Sequence, residues 1–193
     1  MSRKTFDKIT SILGLMLAVF LFVAGGLVQW GYTFANQSVS DQLSAQKIDF
    51  PTVTHNPKES AEVTTFFAQH GGKVLTTGKE AQMYADHYLG FHLSLMPTYA
   101  AASGKDREAQ AALVATPNDP AAQAAAAASS KTVETVFRGT SLRGMLLNAY
   151  AFWQLGQIAM YSAVAAFAGG LLFLILALMG FAHLRKVDAE EAI

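Results

Sequence analysis

Apolar side chains gather in two uninterrupted blocks, one towards each end of the chain, and the residues between them alternate polar turns with short amphipathic stretches. The second block is the longer. From Ile158 to Ala182 no side chain is charged, and Phe167, Leu171, Leu172, Leu174, Leu176 and Met179 keep it strongly apolar. A hydrocarbon core of about 30 Å is crossed by roughly 20 apolar residues in a helix, so this block predicts a membrane span. Leu142, Met145, Leu146, Ala149 and Phe152 recur at helical spacing just before it and extend the predicted helix over 142–184. Tyr150 and Trp153 suit the headgroup level and mark where the helix enters the bilayer, and His183-Leu184-Arg185-Lys186 marks where it leaves.

The first block follows a short basic start, residues 1–8, with Arg3, Lys4 and Lys8 against Asp7. A basic start before an apolar core also fits a secretory signal peptide, with Thr33-Phe34-Ala35 as a small-residue cleavage site. The block is long for a signal core, and a chain that keeps Met1 is expected to keep it as a first span over 9–30. No Lys or Arg follows Lys8 until Lys47, so the positive-inside rule places residues 1–8 in the cytoplasm. Arg138 and Arg143 before the second span offset Arg185 and Lys186 after it, which leaves the first span to decide orientation. Two spans then return residues 185–193 to the cytoplasm and leave the middle of the chain outside.

That middle divides in two. Residues 31–76 read as linker and loops: Ala35 to Ser44 is polar, and Pro51, His55-Asn56-Pro57 and Gly71-Gly72 are turn signals. Lys47 to Phe50 and Lys73 to Leu75 are long enough for two short strands at most. Residues 77–141 read as a helical domain. Thr77-Gly78-Lys79-Glu80 has the form of a capping box, and the helix it opens should run from Gly78 to Met96, where Pro97 stops it. Ala81, Tyr84, Tyr88, Phe91 and Leu95 fall three or four apart and form one aromatic face, expected to pack inside the domain. The alanine-rich stretch that follows predicts a helix over 105–115 and another starting at Pro120, with Gly139 and Gly144 as kinks. The expected fold class is mostly α: a two-span transmembrane helical hairpin with an extracytoplasmic helical segment between the spans.

Composition narrows the function. The 193 residues are 52% hydrophobic and 15% charged, too apolar for an ordinary soluble domain and too short for a many-span transporter. A net charge of +0 lacks the basic surface that nucleic acid requires, and with no cysteine there is no thiolate nucleophile or cysteine metal site. The chain has no glycine-rich phosphate loop and no Gly-x-Ser-x-Gly elbow, and neither span holds the Asp, Glu, Lys or Arg expected of an ion path. The spans do carry small residues at helical spacing: Ser11, Gly14, Ala18 and Gly25 in the first, and Ala159, Ala163, Ala166, Gly170 and Ala177 in the second. Such faces let helix backbones approach closely in lipid, either with each other or with a partner.

Three segments carry a resemblance: Thr77 to Tyr88, Pro97-Thr98-Tyr99 and, above all, Phe137 to Phe152, in which Leu142 to Phe152 is the most specific part. They resemble an uncharacterised family of actinobacterial two-span membrane proteins whose members often bear the label aromatic ring-opening dioxygenase of the LigA type. The label implies non-haem iron, commonly held by two histidines and a carboxylate. The middle segment offers His55, His70, His87 and His92, with Asp86 beside His87. On an α-helix, His87 and His92 lie about 140° apart around the axis and Asp86 is off the His87 face, so one metal could not easily be shared without His55 or His70 from the loops. Asp86, His87 and His92 are therefore weak metal candidates, and no cofactor is expected.

The residues expected to make interactions are Arg138, Arg143, Trp153, Gly14, Ala18, Gly25, Ala166 and Gly170. The expected partners are membrane lipid and a larger membrane protein complex, with no nucleic acid. The favoured role is a non-catalytic accessory or assembly subunit of that complex, and the actinobacterial resemblance points to a respiratory cytochrome complex. The alternatives are a membrane-anchored metal-binding or oxidoreductase domain facing outside the cytoplasm, and an extracellular sensing or lipid-binding module.

Overall fold

The computed structural model describes residues 3–186. It is mostly helical. In order come α1 (Arg3–Gln46), α2 (Ala61–His70), α3 (Gly78–Met83), a π-helical segment (Tyr84–Leu89), α4 (Gly90–Ser94), α5 (Tyr99–Ala115) and α6 (Pro120–Leu184). Among the described residues there is no strand, only an isolated antiparallel bridge between Asp49 and Val74. The chain divides into two compact units, one of Met1–Gln37 with Gln154–Ile193 and one of Ser38–Trp153.

In the first unit, α1 and α6 are both long and apolar enough to cross a membrane. Only 17% and 11% of their most apolar windows are buried, whereas a core helix of a soluble protein is covered by its own fold. Leu13, Met16, Phe20, Leu27, Leu155, Val164 and Met179 are all at least 60% exposed, an apolar surface that water would penalise heavily and a bilayer would not. The covered faces are those with small residues: Ala18, Ala163 and Ala177 are at most 2% exposed. A Cβ added at Gly25 would lie 3.3 Å from Ala166 Cβ and 3.1 Å from the Phe167 ring, and one at Gly170 would lie 3.4 Å from the Ala18 carbonyl. The two faces thus pack on each other, with Gln157 Nε2 donating to Asn36 Oδ1 at 3.2 Å.

The second unit has a core of its own. Val39 and Leu43 from α1, Phe50, Val63 and Phe67 from α2, Leu75, then Ala81, Met83, Ala85 and Leu146 from α6 form one buried cluster. Three expectations are corrected here. Ala35 to Ser44 is no linker but the last turns of α1, because Val39 and Leu43, four apart, present an apolar stripe to this cluster. Residues 61–70, read as loop, form α2. The Ser60 side chain accepts from Val63 N–H at its start, and Gly71 N–H donates to the Phe67 carbonyl at its end. No boundary falls at 141–142, since α6 runs unbroken from Pro120 through Gly139 and Gly144. Residues 47–50 and 73–75, which were long enough for short strands at most, form no strand but are joined at the Asp49–Val74 bridge: Phe50 N–H donates to Lys73 O at 2.8 Å and Leu75 N–H to Ile48 O at 2.9 Å.

Other local expectations hold with adjusted bounds. The Thr77–Glu80 capping box is formed, and the helical run it opens reaches Ser94, three residues before Pro97. Its middle is π-helical, which the 3.6-residue spacing did not foresee. The expected aromatic face is therefore split: Ala81, Tyr84 and Tyr88 reach the core, whereas Leu95 is 71% exposed. The helix expected over 105–115 begins earlier, at Tyr99, where Thr98 accepts from Ala101 N–H. Asp106 ties α5 to α6 by accepting from Ser129 and Ser130, each at 2.8 Å, and these hydroxyls with Gln110 hold its carboxyl below the usual range.

Candidate functional site

Three of the candidate side chains, Asp86, His87 and His92, lie in or just after the π-helical segment. A π turn bonds each carbonyl to the amide five residues on instead of four and advances the side chains by a smaller angle per residue, so the α-helical spacing assumed for His87 and His92 does not apply. Gly90 N–H donates to Ala85 O in this way. The same carbonyl accepts from Arg143 Nε of α6 at 3.1 Å, while Arg143 Nη2 donates to Asp86 Oδ1 at 2.9 Å. The guanidinium fork therefore straddles a carbonyl and a carboxylate instead of chelating one carboxylate. Gly90 lies beside this contact: a Cβ there would stand 3.3 Å from Ala85 O and in ordinary van der Waals contact, 3.6 Å, with Arg143 Nε.

His87 turns to the loop before α2, where its Nδ1 meets Glu59 Oε1 at 3.1 Å. Asn56 Nδ2 donates to the other oxygen of Glu59 at 3.3 Å, and Asn56 Oδ1 accepts from Lys58 N–H, which folds the loop on itself. A second carboxylate-histidine pair lies at the start of α3. Glu80, only 7% exposed, accepts from His70 Nδ1 at 2.8 Å and from the Thr76 and Thr77 amides at 2.9 Å. Burial alone would push this carboxyl up, but the Thr76 amide, His70 and Thr77 together hold it below its ordinary value. The His70 ring stacks on Phe66 with centroids 4.0 Å apart.

His92 goes a third way. Its Nδ1 lies 2.7 Å from Tyr88 O, which accepts, so Nδ1 carries a proton. The ring packs 4.4 Å from Tyr88 and edge-to-face with His55, at 5.6 Å and 83°. His55 holds this place with a left-handed backbone, φ 62°.

No family model, curated protein or solved structure matches the chain. The iron set implied by the dioxygenase label does not fit: Asp86, His87 and His92 each face a different partner, and among the described residues no three His, Cys, Asp or Glu side chains converge.

Of the residues expected to make interactions, Arg138 pairs on the helix surface with Glu134, one turn away. Arg143 reaches into the unit as described. Trp153 packs against α3 so closely that a Cβ on Gly78 would overlap its own Cβ and lie 2.5 Å from its Cγ, and its ring stacks with Tyr150. Gly14, Ala18, Gly25, Ala166 and Gly170 lie in the contact between α1 and α6. Sequence reasoning missed Glu59 and Glu80 as histidine partners. Glu80 was legible only as a capping residue; for Glu59, 28 positions before His87, no local pattern exists.

Proposed function

We propose that the chain is a non-catalytic accessory or assembly subunit of a larger membrane complex. The observation that supports this is the use made of its ionisable side chains. Arg143–Asp86, His87–Glu59 and His70–Glu80 each join one element of the second unit to another, so the groups that could do acid–base chemistry serve architecture. The two apolar helices provide the anchor. In this reading the start of the chain is cytoplasmic and residues 31–145 lie outside; the C-terminal tail is cytoplasmic too, though residues 187–193 fall outside the described residues. The resemblance to the actinobacterial family makes a respiratory cytochrome complex the first partner to test.

Purification of the untagged chain from native membranes in a mild detergent, followed by mass spectrometry, tests the proposal. Stoichiometric recovery with the subunits of one membrane complex, and loss of that complex on deletion of the chain, is the expected result. A chain that elutes alone, with every complex unaffected by its deletion, overturns it.

A further inference from the structure

We infer that α2 is held by a pH-graded clasp: two histidine–carboxylate pairs, one at each of its ends, fasten it to the run of α3 and the π-helical segment and grip it more tightly as the medium acidifies. The inference goes beyond the accessory role and does not depend on it. Just before α2, Glu59 Oε1 meets His87 Nδ1 of the π-helical segment at 3.1 Å. At its last residue, His70 Nδ1 meets Glu80 Oε1 of α3 at 2.8 Å. The same chemistry thus secures both ends, with histidine and carboxylate exchanged between the two sides. An isolated helix shorter than about 12–15 residues is marginal in water, so the order of the ten-residue α2 depends on what holds it. Its holds are Val63 and Phe67 in the core and these two pairs.

A neutral imidazole gives a carboxylate an ordinary hydrogen bond, whereas a protonated one adds a charge, and charge-assisted bonds are roughly twice as strong. Histidine as a residue type makes that change between about pH 8 and pH 5. The hold is therefore strongest on the acidic side and weakens as pH rises. Burial favours the effect, since the carboxylate side chains of Glu59 and Glu80 are only 12% and 9% exposed and solvent screens them little. Against the effect of burial, the Thr76 amide, His70 and Thr77 keep the Glu80 carboxyl below its ordinary value, so it stays ionised while the imidazoles gain charge. The other charged groups nearby are engaged or balanced. Around His70 lie the Phe66 and Phe50 rings, and Lys73 Nζ donates to the Gln69 carbonyl. Beside His87, Asp86 is taken up by Arg143, and the cavity of about 560 Å³ that His87 lines together with α2 holds one charge of each sign, Glu62 and Lys79. Because α2 forms a wall of that cavity, the clasp also sets how freely the wall moves.

Hydrogen exchange of the full chain in detergent, followed by mass spectrometry at pH 5.5 and pH 8.0 and corrected for the intrinsic exchange rate, tests the clasp. The amides of α2 should be about 3- to 10-fold better protected at pH 5.5, the range expected of two partly buried pairs that gain charge. Helix α5, which contains no histidine, should show no such change. With His70→Gln and His87→Gln together, which keep a donor but never carry the charge, the difference in α2 should vanish. Equal protection of α2 at the two pH values in the parent chain, a readout that needs no variant to fold, would overturn the inference. So would a difference that persists in the double variant.

Discussion

Arg143 of α6 and Asp86 of the π-helical segment, 57 residues apart, form an ion pair at 2.9 Å whose second arm rests on the Ala85 carbonyl. The contact depends on a planar fork, since Nε and Nη2 reach two acceptors on adjacent residues at once. Lysine has the charge but not the second donor direction. Both side chains are about a third or more exposed, so solvent screening limits the ion pair to about 1 kcal/mol. Arg143→Lys is expected to lower the thermal midpoint of the second unit nearly as much as Arg143→Ala. Equal midpoints for Arg143→Lys and the parent would show that charge alone suffices.

At Gly78, α3 lies directly against Trp153 of α6. Any side chain there meets Trp153 Cβ, which is fixed to the α6 backbone and cannot rotate away. Gly78→Ala should therefore force the helices apart at a cost of about 1–3 kcal/mol. Trp153 fluorescence should shift as its environment opens. A variant with unchanged spectrum and unfolding midpoint would contradict the packing.

Glu80 sets an acid limit on the second unit. Its folded-state pKa lies below the ordinary value of 4.5, so its stabilisation is fully present above that pH and is lost as pH falls through the folded-state pKa. In Glu80→Gln this component of the acid-induced loss should vanish, and at neutral pH the variant should be less stable by about 1–2 kcal/mol, because the amides of Thr76 and Thr77 lose a charged acceptor. Unfolding followed from pH 7 to pH 3 measures both effects. Parallel curves for the two proteins would remove Glu80 from the account.

Orientation can be read by labelling. With Ser2→Cys and Asn118→Cys in separate chains, an impermeant thiol reagent on intact cells should modify only the second, since Asn118 is exposed in the turn between α5 and α6 and the basic start is expected inside. Modification of Ser2→Cys alone would invert the proposed topology.

Close packing in the first unit predicts a size limit. Gly170→Leu must displace the Phe22 ring, 3.2 Å from an added Cβ, and should weaken the contact between α1 and α6 by about 1–3 kcal/mol. The same change at Gly26, where an added Cβ meets nothing within 4 Å, should be neutral, as seen in thermal unfolding in detergent.

What the sequence determined by itself was whatever depends on neighbours within a few positions or on unbroken composition. The two apolar blocks, the capping box at Thr77, the helix start at Pro120 and the small-residue faces are all of this kind. Tertiary structure decided the rest. The polar composition of Ala35 to Ser44 hid the Val39–Leu43 stripe, which becomes a reason for helix only when a core is there to bury it. The π turns shift the register of His87 and His92 in a segment whose residues, read alone, suit an α-helix. The partners of Asp86, His87 and His70 lie 57, 28 and 10 positions away, and no periodicity links such residues. A carboxylate in the sequence carries charge and hydrogen-bonding capacity, but which cation or amide it satisfies is a matter of distance, and distance exists only once the chain has folded.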